Sequence, residues 1–262
     1  MRSKIDVIVL AAGKGKRMHQ AFPGTPKVLV PLSGRPMLIR LLDAVSRADL
    51  HARPIIVVGP AVEEKVREAL REREVRFVVQ NEPRGTGHAV LCAKSAGLNA
   101  ENVLVLYGDH PLISARTIRK LVDTHLVGQA AVTMLTVPLP DFKGWRASFA
   151  DWGRIVRDDR EKFLRSVEAK DASASELRIT EVNPSMYCFR ADFLWRNLPK
   201  VNCENAQGEF YLPDVLNFAK AEGEKIETVA VSDAREALGA NTPEQLAVLE
   251  QVFAEVKEQW EK

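Results

Sequence analysis

The chain has 262 residues, and 37 lysine and arginine residues oppose 35 aspartate and glutamate residues, for a formal net charge of +2. Because the two signs are interspersed, the composition gives no reason to expect nucleic acid or a membrane surface as a partner. Three widely spaced cysteines without a CxxC pair argue against a disulfide framework or a zinc site. The apolar run of residues 7–12 is too short for a signal peptide core or a membrane span, so we expect a protein of the reducing cytoplasm.

Short apolar runs alternate with amphipathic segments in the first half of the chain. Such runs are typical of strands covered on both faces, and the alternation predicts a parallel sheet with right-handed crossovers. The predicted strands are residues 7–10, 55–58, 75–79, 103–106 and 130–137, and the predicted helices are residues 37–45, 62–73, 115–126 with Ser114 as its cap, and one capped by Thr86. Ligands bind such sheets at the carboxyl ends of the strands, where Gly13, Gln80 and Asp109 lie.

The pattern changes after residue 138. Aromatic residues cluster between residues 142 and 152, and the short alternating runs that follow to about residue 199 predict a smaller β-rich lobe. Residues 206–215 are predicted to open a further helix, a strand is predicted over residues 226–231, and the chain ends in a helix over residues 243–260 with Thr242 as its cap. We find no internal repeat and no long linker, so the sequence predicts a single domain over residues 1–262.

A glycine-rich, cationic loop follows the first predicted strand. Gly13 and Gly15 can adopt backbone angles closed to other residues, so that several N–H groups of the loop can point at one ligand. Positive charge is added by Lys14, Lys16, Arg17 and Lys27. This combination predicts a site for the phosphate chain of a nucleotide.

Two better-known glycine loops do not fit this stretch. A dinucleotide-binding fingerprint needs a third glycine where Met18 stands, and an acidic residue about 20 positions further on. A P-loop needs four residues between its glycines, whereas Lys14 alone separates Gly13 from Gly15. A nicotinamide-dependent oxidoreductase is therefore a disfavoured alternative.

Six motifs in fixed order resemble those of the sugar-1-phosphate nucleotidylyltransferases, most closely the N-terminal uridylyltransferase domain of the bifunctional N-acetylglucosamine-1-phosphate uridylyltransferases. The motifs are residues 10–18, 26–29, Gln80 with 85–89, 106–112, 168–171 and 207–212. The resemblance implies a Rossmann-like, mainly parallel sheet flanked by helices, with a nucleotide-binding half over residues 1–137 and a sugar-binding lobe and C-terminal helix over residues 138–262. We find no hexapeptide repeats of the left-handed β-helix acetyltransferase domain, so that domain is not expected in this sequence.

The resemblance also implies a reaction and a set of residues. A sugar 1-phosphate would attack the α-phosphate of UTP with the help of Mg²⁺, giving a UDP-sugar, most closely UDP-N-acetylglucosamine, and pyrophosphate. The implied roles are catalytic for Arg17 and Lys27; nucleotide-binding for Leu10, Ala11, Ala12, Gly13, Gln80, Gly85 and Thr86; sugar-binding for Tyr107, Gly108, Gly153, Glu168 and Asn183; and metal-binding for Asp109 and Asn241. Gln80 is expected to pair with the uracil edge through a donor and an acceptor together.

The sequence departs from the family where the sugar is chosen. An aromatic insertion precedes Gly153, and Pro184-Ser185 stands where the family has a small residue and a glycine. Another sugar or base, such as glucose 1-phosphate or dTTP, therefore stays open. A non-catalytic regulatory subunit that binds nucleotide sugars also stays open, although such a subunit needs the two metal-binding residues less than an enzyme does. The oligomeric state also stays open, with a homo-oligomer as one option.

Overall fold

Residues 5–260 are described by a computed structural model, and residues 1–4 and 261–262 of the predicted domain lie outside the described residues. The strands are β1 (Ile5–Ala11), β2 (Pro31–Leu32), β3 (Arg35–Pro36), β4 (Ile55–Val58), β5 (Arg76–Val79), β6 (Asn102–Tyr107), β7 (Val132–Pro138), β8 (Gly153–Arg157), β9 (Phe163–Val167), β10 (Glu181–Asn183), β11 (Tyr187–Arg190) and β12 (Ile226–Ala230). The helices are α1 (Lys16–Ala21), α2 (Met37–Arg47), α3 (Glu63–Ala69), α4 (Thr86–Ala93), α5 (Ala115–Gly128), α6 (Ala191–Asn197), α7 (Val215–Ala221) and α8 (Pro243–Trp260).

The central sheet has the order β5-β4-β1-β6-β11-β7, and β12 pairs with the far edge of β7. Leu10 of β1 lies between Val57 of β4 and Tyr107 of β6 in parallel register, so three strands end at one edge. Among the described residues, β11 is the only strand of this central sheet that runs against the others, and its Tyr187 pairs with Val105 and Met134. The predicted α/β fold with a mainly parallel sheet is therefore confirmed. Residues 187–190 lie within the predicted β-rich lobe, but as β11 they belong to the central sheet, which corrects that part of the prediction.

The predicted β-rich lobe consists of strands β8, β9 and β10. They pair in antiparallel fashion, and β10 also pairs with β7, through Val182 opposite Val137. The lobe is thus a continuation of the central sheet. Its position brings the start of β8 and the end of β10 towards the edge at which β1 and β6 end, because β10 runs antiparallel to β7.

The core lies on both faces of the sheet. Along β1, Val7 and Val9 belong to the cluster under α2, α5 and α8, whereas Ile8 and Leu10 belong to the cluster under α4, α6 and α7. Successive side chains of a strand point to opposite faces, which explains why the run from Val7 to Leu10 is apolar throughout. Within residues 5–260 there is no helix with the length and apolar character needed to cross a membrane.

Several helix ends differ from the predictions, and α2 and α5 each extend two residues further than predicted, to Arg47 and Gly128. Helix α3 is shorter than the predicted segment 62–73, and Gly85 rather than Thr86 occupies the N-cap of α4. The other two predicted caps form: Ser114 Oγ accepts from Thr117 N at 3.1 Å, and Thr242 Oγ1 accepts from Gln245 N at 3.2 Å.

Candidate active site

The carboxyl ends of β1, β5 and β6 border a cleft of about 600 Å³. It brings together most of the residues singled out in the sequence: Leu10, Ala11, Ala12, Gly13, Lys27, Gln80, Gly85, Thr86, Tyr107, Asp109, Gly153, Glu168, Asn183 and Asn241. Two predicted residues, Arg17 and Gly108, do not line it. Polar groups that converge on one concave site at this end of a parallel sheet are typical of an active site.

The glycine loop encloses Lys27. Gly15 has φ +55°, and a Cβ atom at this position would lie 2.7 Å from Cβ of Lys27. Both the backbone angle and the space therefore require glycine here. Lys14 and Lys16 also line the cleft, so the loop contributes charge as well as backbone N–H groups.

The ammonium group of Lys27 joins the two residues predicted to bind the metal. Its Nζ lies 2.5 Å from Asp109 Oδ2 and 2.7 Å from Asn241 Oδ1, and the side chains of Lys27 and Asp109 are only 13% and 10% exposed. Burial by itself raises the pKa of the Asp109 carboxyl, but the charge of Lys27, the neighbouring His110 and the hydrogen bond from Lys27 together outweigh it, so this pKa lies below its usual value. The carboxylate and the amide oxygen thus face one point that already holds a cation.

Backbone contacts fix the positions of Asp109 and Asn241. The carbonyl of Asp109 accepts from Ala240 N at 3.3 Å, and Gly239 packs so tightly that its Cβ would lie 2.9 Å from the same oxygen. Asn241 N donates to Gln245 Oε1 at 2.8 Å, in the first turn of α8. Because 132 positions separate Asp109 from Asn241, only the resemblance to the family indicates from the sequence that the two residues lie close together.

Arg17 and Gly108 lie beside the cleft. Arg17 is exposed in the second position of α1, so a catalytic role requires its side chain to turn towards the ligand. Gly108 is buried, its N–H donates to Leu10 O at 2.9 Å, and a Cβ would lie 3.1 Å from Val28 Cγ1. Gly108 therefore supports Tyr107 and Asp109 by allowing β1 and β6 to approach closely.

The turn at Gly85 is clamped by the segment that follows residue 207. Phe210 N donates to Arg84 O, Gly87 N donates to Phe210 O, and Leu212 N donates to Thr86 Oγ1, at 2.9, 2.7 and 3.0 Å. Thr86 thus tethers this segment instead of capping α4. The Gln80 side chain lies 4% exposed next to the turn and donates from Nε2 to Gly85 O at 3.1 Å.

Glu168 lies on the opposite wall, immediately after β9. A Cβ on Gly153 would lie 3.3 Å from Glu168 Oε1, so the glycine at the start of β8 leaves room for this carboxyl group. Burial, together with the smaller effect of the nearby carboxyl groups of Asp214 and Asp171, raises the pKa of Glu168 to about 7. A carboxyl group that is kept in an unfavourable environment within a cleft is a candidate for ligand binding.

Asn183 uses most of its hydrogen-bonding capacity within the protein. Its Nδ2 donates to Ser166 Oγ at 2.9 Å and to Tyr187 Oη at 2.7 Å, and its Oδ1 accepts from Ser185 N at 2.8 Å. Ser185 has φ +59°, the left-handed region that favours glycine. The chain therefore keeps at Ser185 a backbone conformation suited to the glycine of the family pattern, and it adds a hydroxyl group beside the phenol groups of Tyr107 and Tyr187.

The aromatic insertion forms another wall of the cleft. The ring of Trp152 lies 4.7 Å from that of Phe149 and 5.4 Å from that of His110, between centroids. Arg154 is 2% exposed and donates to the carbonyls of Ala150 and Trp152, the first at 2.8 Å. Periodicity could not have placed Trp152, because its position depends on these backbone bonds.

The comparisons with known proteins agree with this geometry. The model of the MobA-like NTP transferase domain family matches residues 7–161, more than half of the chain. The chain belongs to this family. It is a nucleotidyltransferase, and the resemblance of its motifs is confirmed.

Curated relatives of the nucleotidyltransferase carry the name bifunctional protein GlmU. That of Desulfotalea psychrophila is 39% identical over 94% of this chain and 70% of its own length. Those of Shouchella clausii and Burkholderia thailandensis are 39% and 42% identical over 97% and 95% of this chain. The chain spans only 53% and 52% of the length of these two relatives.

Proposed function

We propose that this nucleotidyltransferase transfers a uridylyl group from UTP to a sugar 1-phosphate, N-acetylglucosamine 1-phosphate being the first candidate, and releases pyrophosphate. The observation that carries the proposal is the single cleft that joins a cationic glycine loop, the Lys27–Asp109–Asn241 cluster, the Gln80 amide and the Glu168 carboxyl group. The resemblance of the motifs supplies the two substrates.

The reaction requires positioning and neutralisation of charge. A phosphate oxygen of the sugar 1-phosphate forms a bond to the α-phosphorus of UTP, and the bond from that phosphorus to the bridging oxygen of pyrophosphate breaks in line with it. Lys27 offers an ammonium group of low exposure beside the glycine loop, where it would hold the triphosphate and the charge that develops on it. Lys14 and Lys16 extend the positive charge along the same wall.

Asp109 and Asn241 are suited to bind Mg²⁺. Their two oxygens converge on the Lys27 nitrogen, so a cation fits between them, and oxygen donors are the ligands that Mg²⁺ prefers. One carboxylate and one amide leave the remaining ligand positions to phosphate oxygens and water, as is usual for Mg²⁺ bound with a nucleotide. Bound there, Mg²⁺ would neutralise the charge that phosphoryl transfer builds up.

The two ends of the cleft would hold the base and the sugar. Gln80 and the backbone at Gly85 would contact uracil, with Ala11, Ala12 and Gly13 packed against the nucleoside. Glu168 would accept from sugar hydroxyls, and Tyr107 and Gly153 would border the sugar. Ser185 and Trp152 lie on the same cleft and are further candidates for contact with the acyl group or ring of the sugar.

The test is pyrophosphate release by the purified protein with Mg²⁺, for the four ribonucleoside triphosphates and dTTP, each with several sugar 1-phosphates. We expect release with UTP and N-acetylglucosamine 1-phosphate at a rate well above every other pair. Release with a different pair would keep the mechanism and change the substrate. Absence of release with any pair, together with measurable binding of a nucleotide sugar, would overturn the catalytic proposal in favour of a regulatory subunit.

A further inference from the structure

The amide nitrogen of Gln80 has two partners within the protein. Besides Gly85 O at 3.1 Å, it lies 3.0 Å from His88 Nδ1 on the first turns of α4. A side-chain amide has two N–H donors and one carbonyl acceptor. Both donors are therefore engaged, and among the described residues no hydrogen bond to Gln80 Oε1 is formed.

We propose that His88 is a positioning residue, which locks the Gln80 amide so that it offers the nucleotide base a carbonyl acceptor alone and thereby selects a base with a ring N–H. The inference rests on the proposed function, because it requires a base beside Gln80. It differs from the expectation that Gln80 presents a donor and an acceptor together.

The orientation of the amide follows from the chemistry of its neighbours. A backbone carbonyl can only accept, so the atom of Gln80 that faces Gly85 O must be the nitrogen. With one N–H directed at Gly85, the second is directed at His88 Nδ1, which must then be the unprotonated ring nitrogen. Two independent acceptors thus hold one amide, and rotating it by 180° would set its oxygen against a second oxygen.

The other ring nitrogen of His88 completes the arrangement. If Nδ1 accepts from Gln80, the proton of the neutral ring resides on Nε2. Nε2 lies 3.9 Å from Sγ of Cys92, one turn further along α4. Burial raises the pKa of the Cys92 thiol, so this neighbour of Nε2 stays uncharged.

An acceptor at this position distinguishes between the bases. Uracil carries an N–H at N3, which can donate to Gln80 Oε1, whereas cytosine carries a lone pair at N3 and would set acceptor against acceptor. A site built to bond an N–H rejects an analogue without it, because the buried polar group of the protein is then left unpaired. Without His88, the bond to Gly85 O alone holds the amide, so turning its N–H groups towards the base costs less, and cytosine can gain a donor.

The experiment compares three variants with the unmodified chain. His88→Leu removes the acceptor, His88→Asn keeps an oxygen at about the distance of Nδ1, and Cys92→Ala is the matched control on the far side of the same ring. For each protein, kcat and KM are measured with UTP and with CTP, and the affinity for both nucleotides is measured by calorimetry without the sugar phosphate.

We expect the preference for UTP over CTP to fall about tenfold or more in His88→Leu, through KM and affinity rather than kcat. His88→Asn restores the preference, and Cys92→Ala leaves it unchanged. A preference that is unaltered in a folded His88→Leu protein overturns the proposal, and so does an equal loss of affinity for both nucleotides, which is the result of a purely structural role. An unmodified chain without preference for UTP would instead contradict the proposed function.

A second measurement needs no folded leucine variant. Nitrogen-15 chemical shifts of the imidazole, assigned to His88 by comparison with His88→Asn, report which ring nitrogen carries the proton. We expect the neutral form protonated at Nε2. A ring protonated at Nδ1 cannot accept from Gln80 and would overturn the proposal.

Discussion

Replacing Glu168 with glutamine tests whether the cleft holds a carboxyl group at a cost to stability. The pKa of Glu168 is raised from 4.5 to about 7 by burial and then by the neighbouring carboxyl groups of Asp214 and Asp171. Between these two pH values the native protein retains a proton that the unfolded chain has released. Glu168 therefore leaves the free energy of unfolding unchanged below pH 4.5. It lowers this free energy progressively as the pH rises from 4.5 to about 7, and the full loss is present above pH 7.

The size of the effect follows from the interval between the two pKa values. The loss of unfolding free energy caused by Glu168 is at most about 3 kcal/mol at pH 8, and it is less than about 1 kcal/mol at pH 5. Because Glu168→Gln has no charge to bury, the variant is expected to gain about 2 kcal/mol of unfolding free energy relative to the unmodified protein between pH 5 and pH 8. If Glu168 also accepts from sugar hydroxyls, the stabilised variant binds sugar 1-phosphate more weakly.

Urea unfolding at pH 5 and at pH 8, followed by tryptophan fluorescence, measures this difference. Glu204→Gln makes the same chemical change at an exposed position of the chain and is expected to alter the pH dependence little. The reasoning is refuted if the advantage of Glu168→Gln does not grow with pH, or if Glu204→Gln shows the same growth. The first result would mean that the Glu168 carboxyl is solvated like an ordinary surface group, and the second would mean that the growth does not come from the surroundings of Glu168.

Three further predictions concern the cation site and the turn at Gly85. Removal of Mg²⁺ with EDTA is expected to abolish pyrophosphate release. The thermal unfolding midpoint of the ligand-free protein is expected to stay unchanged, because Lys27 already joins the oxygens of Asp109 and Asn241. A lowered midpoint would contradict this. Gly85 has φ +104°, and a Cβ there would lie 2.7 Å from Phe210 O, so Gly85→Ala is expected to lower the free energy of unfolding in urea by at least about 2 kcal/mol. The control Gly97→Ala, with φ +68° but open space, is expected to lower it less. Equal losses would show that the contact relaxes freely. Thr86→Val removes the acceptor of Leu212 N and is expected to cost about 1–2 kcal/mol and to raise KM for UTP, whereas Thr86→Ser, which keeps the hydroxyl group, is expected to lose less than half of that stability.

The features that the sequence predicts well are those that depend on local pattern. The apolar run of β1 identifies a strand buried on both faces, and its end at Ala11 places Gly13 at the cleft. The same rule places Gln80 and Asp109, because parallel strands end at a common edge. Ser114 and Thr242 could be assigned as caps because a cap needs only a hydroxyl group at the start of a helical pattern.

The features that the sequence does not predict depend on contacts between distant segments. Thr86 has the composition of a cap, but its hydroxyl group bonds to Leu212 N, 126 positions away. Strand β11 has no helix before it and enters the sheet against the direction of its neighbours, since the chain returns from the small lobe. Arg17 follows the glycine loop in sequence, but α1 carries it to an exposed position.

Lys27 links the stability of the empty cleft to its chemistry. An unpaired carboxylate at the low exposure of Asp109 would be costly, and the lysine prevents this by direct contact with it and with Asn241. A triphosphate competes for the same ammonium group, since phosphate oxygens are strong acceptors for a cationic N–H donor. As Lys27 turns to the phosphates, the oxygens of Asp109 and Asn241 lose their cation, and a second cation that arrives with the nucleotide restores the balance. Phosphate binding and metal binding are thus expected to be cooperative, because each removes the electrostatic obstacle to the other.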